Sequence, residues 1–335
     1  MSADVLVSAR DLAKHFPLRQ GFRAHAAGQV RAVDGVTFDI RDGETLGLVG
    51  ESGSGKSTLA RCVVRLLEPN GGTLRFAGED ITHYHLRAMR PLRRQMQMVF
   101  QDPFGSLNPR KPVGRIVEEG LRVHHIGTAA DRRQRVHELL ARVGLSAEHG
   151  ERLPRDLSGG QRQRIGIARA LAVAPRLIVA DEPVSALDVS VQAGILNLFK
   201  DLQEEFRITY LFISHDLGVI RQVADRVGVM YLGKLVELAP AEAFYARPMH
   251  PYSEALLSAI PLADPTRARA RPRLIEGDMP GPIAPPAGCR FHTRCAFATA
   301  LCGAQEPVLR PLAPEHLVAC HHPRNPTLDS ALPAA

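Results

Sequence analysis

The chain has 335 residues, 45% of them hydrophobic, with a net charge of +7, which is enough for one large domain and a smaller one around a real core. No stretch approaches the ~18 consecutive apolar residues of a membrane-spanning helix, the N-terminus has no basic stretch followed by an apolar block, and an odd count of five cysteines argues against a disulfide framework. A cytosolic protein is expected, whose basic balance suits anionic lipid, nucleic acid or nucleotides, or else an Arg-rich solvated surface.

From the N-terminus to about residue 40 the pattern alternates as in strands, most clearly in Val30-Arg31-Ala32-Val33-Asp34-Gly35-Val36-Thr37-Phe38-Asp39-Ile40, with a Gly/Ala/His loop at residues 21–29. Glu44-Thr45-Leu46-Gly47-Leu48-Val49 is a short apolar run suited to a buried strand, and residues 57–67 have helical spacing of apolar residues. A short strand is expected at residues 71–78. An Arg-rich helix follows at 83–97, its run from Arg87 to Arg94 a solvated face. An amphipathic helix at 132–143 ends at Gly144, and a helix at 160–174 is stopped by Pro175. Leu177-Ile178-Val179-Ala180 reads as a fully apolar strand, residues 191–206 as a helix, and Thr209-Tyr210-Leu211-Phe212-Ile213 as a buried strand. Strands alternating with helices predict an α/β fold with a largely parallel core sheet. After about Tyr245 prolines crowd the chain and four of the five cysteines appear, so residues 246–335 are expected to form a separate loop-rich extension to a domain at 1–245, with a frayed tail from 325.

The chemistry starts at Gly50-Glu51-Ser52-Gly53-Ser54-Gly55-Lys56-Ser57, followed by Thr58. This G-x-x-x-x-G-K-S pattern lies between a strand and a helix, where glycines let successive N–H groups point at phosphate oxygens. Lys56 supplies a point charge, and the Ser57 hydroxyl is placed for Mg²⁺. Asp181 and Glu182 end an apolar strand, where an open α/β sheet places ligands; Asp181 suits Mg²⁺ and Glu182 suits polarising a water. Leu157-Ser158-Gly159-Gly160-Gln161-Arg162-Gln163-Arg164 opens a helix with Ser158 as its N-cap.

Together these segments resemble the ABC-type ATPases, Ser158-Gly159-Gly160-Gln161 being similar to their signature motif. That resemblance implies an N-terminal antiparallel β part and a helical subdomain at about 102–166. It implies that Gln101 senses Mg²⁺ and the reacting water, that Asp188 in Ser185-Ala186-Leu187-Asp188 lines the contact between two ATPase subunits, and that His215 contacts the γ-phosphate. Phe16 is the implied adenine-stacking aromatic, with His15 or His25 as substitutes. Phe104, Leu107 and Val113 are candidate contacts to membrane subunits. One cassette per chain implies a homologous partner ATPase.

Pro248-Met249-His250-Pro251-Tyr252 and Gly288-Cys289-Arg290-Phe291-His292-Thr293-Arg294-Cys295 resemble the C-terminal extension of oligopeptide and dipeptide importer ATPases. Residues 101–110, 161–166 and 188–193 look closer to the second of the two ATPases in such importers. Peptide import driven by ATP hydrolysis is the implied function, on the cytoplasmic face of the membrane. The implied partners are two permease subunits, an extracytoplasmic substrate-binding protein and a non-identical sibling ATPase, with no nucleic acid. A soluble ABC ATPase acting on nucleic acid or ribosomes is the alternative. Thiolates at Cys289, Cys295, Cys302 and Cys320 suit zinc or an iron–sulfur cluster, and the resemblance implies [4Fe-4S], with zinc second because His292, His316, His321 and His322 lie close. Cys62 is expected in the core.

Overall fold

The computed structural model describes residues 4–20, 25–259 and 277–325. Twelve strands form two sheets among these residues. β1 (Val5–Gln20) and β2 (His25–Arg41) make a long antiparallel pair, β4 (Gly71–Phe76) pairs with β1, and β5 (Glu79–Asp80) with β4. The loop expected at 21–29 is shorter than its composition suggests. Residues 25–29 belong to β2, with Gln29 opposite Pro17, and the ladder to β1 overrides their weak strand preference; residues 21–24 lie outside the described residues.

The second sheet has eight strands in the order β11-β12-β10-β9-β3-β8-β7-β6. Its parallel part is β6 (Met96–Val99), β7 (Leu177–Asp181), β8 (Thr209–Ile213), β3 (Thr45–Val49) and β9 (Arg226–Tyr231). Every residue of β3, β7, β8 and β9 is buried. That explains their mostly apolar sequences, because both faces are covered; the polar exceptions, Thr45, Asp181, Thr209 and Arg226, stand at strand ends. The pleat still sorts the side chains. Leu46, Leu48, Leu177, Val179, Leu211 and Ile213 enter one core with β1, β2, α1 (Lys56–Val63) and α2 (Leu86–Gln95). Ile178, Ala180, Tyr210, Phe212, Val227 and Val229 enter the other. Cys62 is fully buried in the first core, as expected.

After a short α3 (Pro103–Ser106), the second core is covered by helices: α4 (Val113–Val123), α5 (Ala129–Arg142), α6 (Gly159–Leu171), α7 (Val189–Phe206) and α8 (Leu217–Val223). α5 begins with a Thr128–Asp131 capping box. It stops where Gly144, at φ 74°, lets the Leu145 N–H donate back to the Leu140 carbonyl at 2.8 Å. On α2, Met89 and Leu92 are buried while Arg87, Arg90 and Arg94 are exposed. β6 follows α2 without a break, and only its parallel pairing with β7 makes Met96–Val99 a strand.

β10 (Lys234–Pro240) turns back antiparallel to β9 and is followed by α9 (Ala241–Ala246) and α10 (Pro251–Ser258). Beyond α11 (Ala300–Ala304), β11 (Arg310–Ala313) and β12 (His316–Val318) join the main sheet, with Val318 opposite Glu237 of β10. Tyr231, Tyr252 and Phe291 pack edge-on or tilted with centroids 4.8–5.2 Å apart, sealing this extension to the end of β9. Glu237 is completely buried, and its carboxylate accepts the Met249 and His250 N–H groups at 2.8 and 2.9 Å and meets His316 Nε2 at 2.7 Å. Those partners offset the cost of enclosing an acid.

Candidate active site

β3 leads into the loop at 50–55 and α1 leads out of it. Gly50 has φ 148°, and a Cβ there would stand 2.2 Å from the Met230 carbonyl oxygen. Gly55 has φ 105°, and its Cβ would meet the Ala32 carbonyl oxygen at 2.0 Å. No other residue fits this close approach of three backbone segments. Lys56 folds back over the loop, donating to the Gly50 and Glu51 carbonyls at 2.7 and 2.9 Å and to Ser54 Oγ at 3.3 Å. Burial holds its pKa below the usual lysine value, against the pull of Glu182, Asp181 and Glu51.

Three neighbouring strands bring the other groups to the same place. The Ser57 hydroxyl donates to Asp181 Oδ1, at the end of β7, at 2.8 Å. Burial raises the Asp181 pKa, opposed by that hydrogen bond and by Arg61. Glu182 Oε2 accepts from Gln101 Nε2 at 2.9 Å and lies 3.2 Å from His215 Nδ1. Gln101 follows β6 and His215 follows β8, so all three stand beyond the carboxyl ends of parallel strands. Glu182 holds a left-handed φ of 47°, with its N–H bonded to the Ile213 carbonyl at 3.0 Å. The cleft has a volume of about 550 Å³. Ser52, Gly53, Gly55, Lys56, Ser57 and Thr58 line one side, Gln101, Glu182 and His215 another, and Val30, Ala32 and Pro282 form an apolar wall. A buried cation on a glycine loop, a hydroxyl–carboxylate pair and a carboxylate bridged to an amide and an imidazole suit binding and hydrolysis of a nucleotide triphosphate.

Residues 33–185 match the ABC transporter family, and residues 236–302 match the oligopeptide/dipeptide transporter C-terminal region. The chain is 52% identical over 320 residues to the oligopeptide transport ATP-binding protein AppF of Bacillus subtilis (strain 168), covering 95% of this chain and 97% of that one. The chain belongs to the family of ABC peptide-transporter ATP-binding proteins. The di/tripeptide transport ATP-binding protein DppF of Pseudomonas aeruginosa (strain UCBPP-PA14) is 49% identical over 95% of this chain and 98% of its own. Among solved structures, the ATP-binding cassette MJ0796, in a dimeric post-hydrolysis state bound to ADP and Pi, superposes with a TM-score of 0.63. It is 30% identical, covering 70% of this chain and 99% of that one. The protein is thus an ABC ATPase, and nothing supports the alternative of a soluble ATPase acting on nucleic acid or ribosomes.

Not every predicted residue of this ABC ATPase lies in the cleft. Ser158 and Gln161 form a reciprocal capping box at the start of α6, with the Gln161 N–H donating to Ser158 Oγ at 3.2 Å and the Ser158 N–H to Gln161 Oε1 at 2.9 Å. Ser158 is exposed, Gly159 and Gly160 are half-buried, and Gly160 lies against Val191. Asp188 caps α7 through the Val191 N–H at 3.0 Å. Phe16 is half-buried and outside the cleft lining, although its cross-strand partner Val30 belongs to it. Phe104 is 59% exposed, with the Arg162 guanidinium 3.6 Å above its ring. Leu107 and Val113 are buried in the helical core, which removes them from the surface and corrects their assignment as contact residues. Among the described residues, no helix is long and apolar enough to cross a membrane.

In the extension, Cys289, Cys295, Cys302 and Cys320 line one small pocket with His250, His292, His321 and His322. Burial raises the thiol pKa of Cys289 and Cys295, and that of Cys320 to about 12. No group of three or more His, Cys, Asp or Glu among the described residues is placed to hold a metal ion. The expected [4Fe-4S] site, with zinc second, is therefore not found as a preformed ligand set. Of the histidines named beside it, His316 is engaged elsewhere, with Glu237, whereas His292 lines the pocket with its Nδ1 2.8 Å from the Cys289 carbonyl.

Sequence reasoning assigned no role to Val30, Ala32, Pro282, Tyr252 or Arg294. Tyr252 and Arg294 do lie in the two segments that resemble the importer extension, so proximity to a recognised motif was their one available signal.

Proposed function

We propose that this protein hydrolyses ATP to power import of di- or oligopeptides through a permease of two membrane subunits, supplied by an extracytoplasmic substrate-binding protein. The names of its relatives support the cargo class. The observation that carries the chemistry is the meeting of Lys56, the Ser57–Asp181 pair and the Gln101–Glu182–His215 cluster in one cleft.

ATP lies with its phosphates on residues Gly50, Glu51, Ser52, Gly53, Ser54, Gly55, Lys56, Ser57 and Thr58. Lys56 exchanges loop carbonyls for phosphate oxygens, and loop N–H groups complete the cradle. The Ser57 hydroxyl and Asp181 carboxylate, with Gln101, offer the hard oxygen donors that Mg²⁺ takes, and when bound the ion neutralises phosphate charge. Glu182 orients the attacking water and accepts its proton, with Gln101 and His215 holding the carboxylate in place. The adenine ring rests near Phe16 and the wall of Val30 and Ala32.

The signature turn, Ser158-Gly159-Gly160-Gln161, lies outside the lining of this cleft and closes over the ATP of a partner, with Asp188 at the contact. The partner is a homologous, non-identical ATPase, and the pair sits peripherally on the inner face of the cytoplasmic membrane. Domain limits of 1–245 and 246–335, with a helical subdomain at about 102–166, go with this reading. Phe104 is the remaining candidate contact to the permease. Convergence of Cys289, Cys295, Cys302 and Cys320 on one pocket supports a cluster there, which requires their deprotonation and closure around the metal. Anaerobically purified protein should absorb broadly near about 400 nm; zinc without that band would replace the iron–sulfur assignment.

The test of the hydrolytic reading is Glu182→Gln, which should retain ATP binding and lose turnover. Undiminished turnover would remove Glu182 from the chemistry.

A further inference from the structure

We propose that Arg294, together with Tyr252, positions the phosphate loop, which makes the C-terminal extension a working part of the nucleotide site. The proposal rests on the assignment of residues 50–58 as the ATP phosphate site and adds residues that sit far from it in sequence.

Glu51 occupies the second position of the loop, and the extension grips it twice. Arg294 Nη1 lies 3.0 and 3.2 Å from the two carboxylate oxygens of Glu51 and 3.3 Å from the Tyr231 hydroxyl. The Arg294 side chain is 8% exposed and that of Glu51 27%, so water screens this charge pair only in part. The Glu51 N–H donates to the Tyr252 hydroxyl at 2.9 Å, and Tyr252 is fully buried between Tyr231 and Phe291. From the other side, Lys56 takes the carbonyls of Gly50 and Glu51. The peptide at Glu51 is therefore fixed between the extension and the lysine that meets phosphate.

A second tether runs in parallel. Arg290 bonds to the Leu232 carbonyl and to Asp34. The Arg31 N–H donates to the Pro282 carbonyl at 3.2 Å, and Pro282 lies beside Val30 and Ala32 in the cleft wall. A loop with glycine at 50, 53 and 55 loses much conformational entropy when it closes on phosphate. Holding Glu51 beforehand removes part of that loss from the binding step. Arg294 immediately precedes Cys295, so the wall of the cysteine pocket and the grip on the phosphate loop share one segment of chain.

The experiment measures displacement of a fluorescent ATP analogue by ATP on the full-length subunit, alongside thermal unfolding and steady-state ATPase kinetics. Arg294→Gln and Glu51→Gln should each weaken ATP binding about tenfold, and the double substitution should be no worse than either alone, because both remove the same contact. Arg294→Lys should recover part of the loss. KM for ATP should rise more than kcat falls, which general destabilisation does not produce. Tyr252→Phe removes only a hydroxyl and should weaken binding about threefold. Unaltered affinity in Arg294→Gln, or multiplication of the two single effects in the double variant, overturns the proposal. If Arg294→Gln does not fold, unaltered affinity in Tyr252→Phe overturns it. Lys56→Ala separates the two levels: if it leaves ATP binding intact, the phosphate-site assignment itself is wrong. If it abolishes binding while Arg294→Gln and Tyr252→Phe do not alter it, only the role of the extension fails.

Discussion

The nucleotide cleft and the C-terminal extension are held together by different physics. The cleft is assembled from short segments at the ends of parallel strands, each with a polar group that its own strand or helix aims correctly. The extension is assembled by contacts with the rest of the molecule: two strands added to the sheet edge, an aromatic seam at Tyr231, Tyr252 and Phe291, and a buried Glu237 that binds two N–H groups and a histidine. A site built locally can be recognised from motifs, whereas a site built by docking depends on its surroundings for both stability and meaning.

The largest effect that should divide the regions is catalytic. Glu182→Gln should lower ATP turnover by about 10²–10⁴-fold with little change in thermal stability, as expected when a positioned acid–base group is lost. A matching loss of stability would mean that the Glu182–His215 contact is structural. Conversely, Tyr252→Ala should destabilise the fold by about 3–5 kcal/mol, read from chemical denaturation, because it empties a fully buried aromatic position. A cost below about 1 kcal/mol would show that the seam is not what docks the extension.

Acid provides a finer distinction. Burial lowers the His250 pKa from 6.5 to about 4, with Glu237 pulling the other way. Between those values the unfolded chain takes up a proton that the folded chain refuses, so stability falls as pH drops from 6.5 towards 4, by roughly 3 kcal/mol if the group acts alone. His250→Asn keeps an acceptor for the Tyr252 N–H and should flatten that stretch of the stability profile; an unchanged slope would assign the acid sensitivity to other groups. The smallest effect belongs to the signature turn, where Ser158→Ala removes one side of a capping box and should cost about 1 kcal/mol in the isolated subunit. If the turn meets a partner's ATP as proposed, the same change should also reduce ATPase activity in the assembled transporter.

Much of the cleft was legible in the sequence. Lys56, Ser57, Asp181, Glu182, Gln101 and His215 all lie in or beside the cleft, and the apolar runs at 177–180 and 209–213 are strands of the parallel sheet. The reason is local: a glycine loop between a strand and a helix, or an acid after an apolar strand, encodes its geometry within about ten residues. Other features resisted. Residues 25–29 look like a loop until β1 pairs with them, and Met96 and Gln97 continue an Arg-rich helix until β7 lies alongside. Leu107 and Val113 look like surface anchors, but the helices packed around them bury both.

From the sequence alone came the kind of chemistry and the alternation of strands and helices, because phosphate cradles, caps and apolar periodicity depend on neighbours along the chain. Only the folded structure decided which distant groups share a space. It turned successive residues of one strand into two cores, gathered four cysteines round one pocket, and brought Arg294 onto Glu51 across 243 positions of sequence. Contacts across that separation are selected by the packing of whole sheets and helices, and no local pattern carries them.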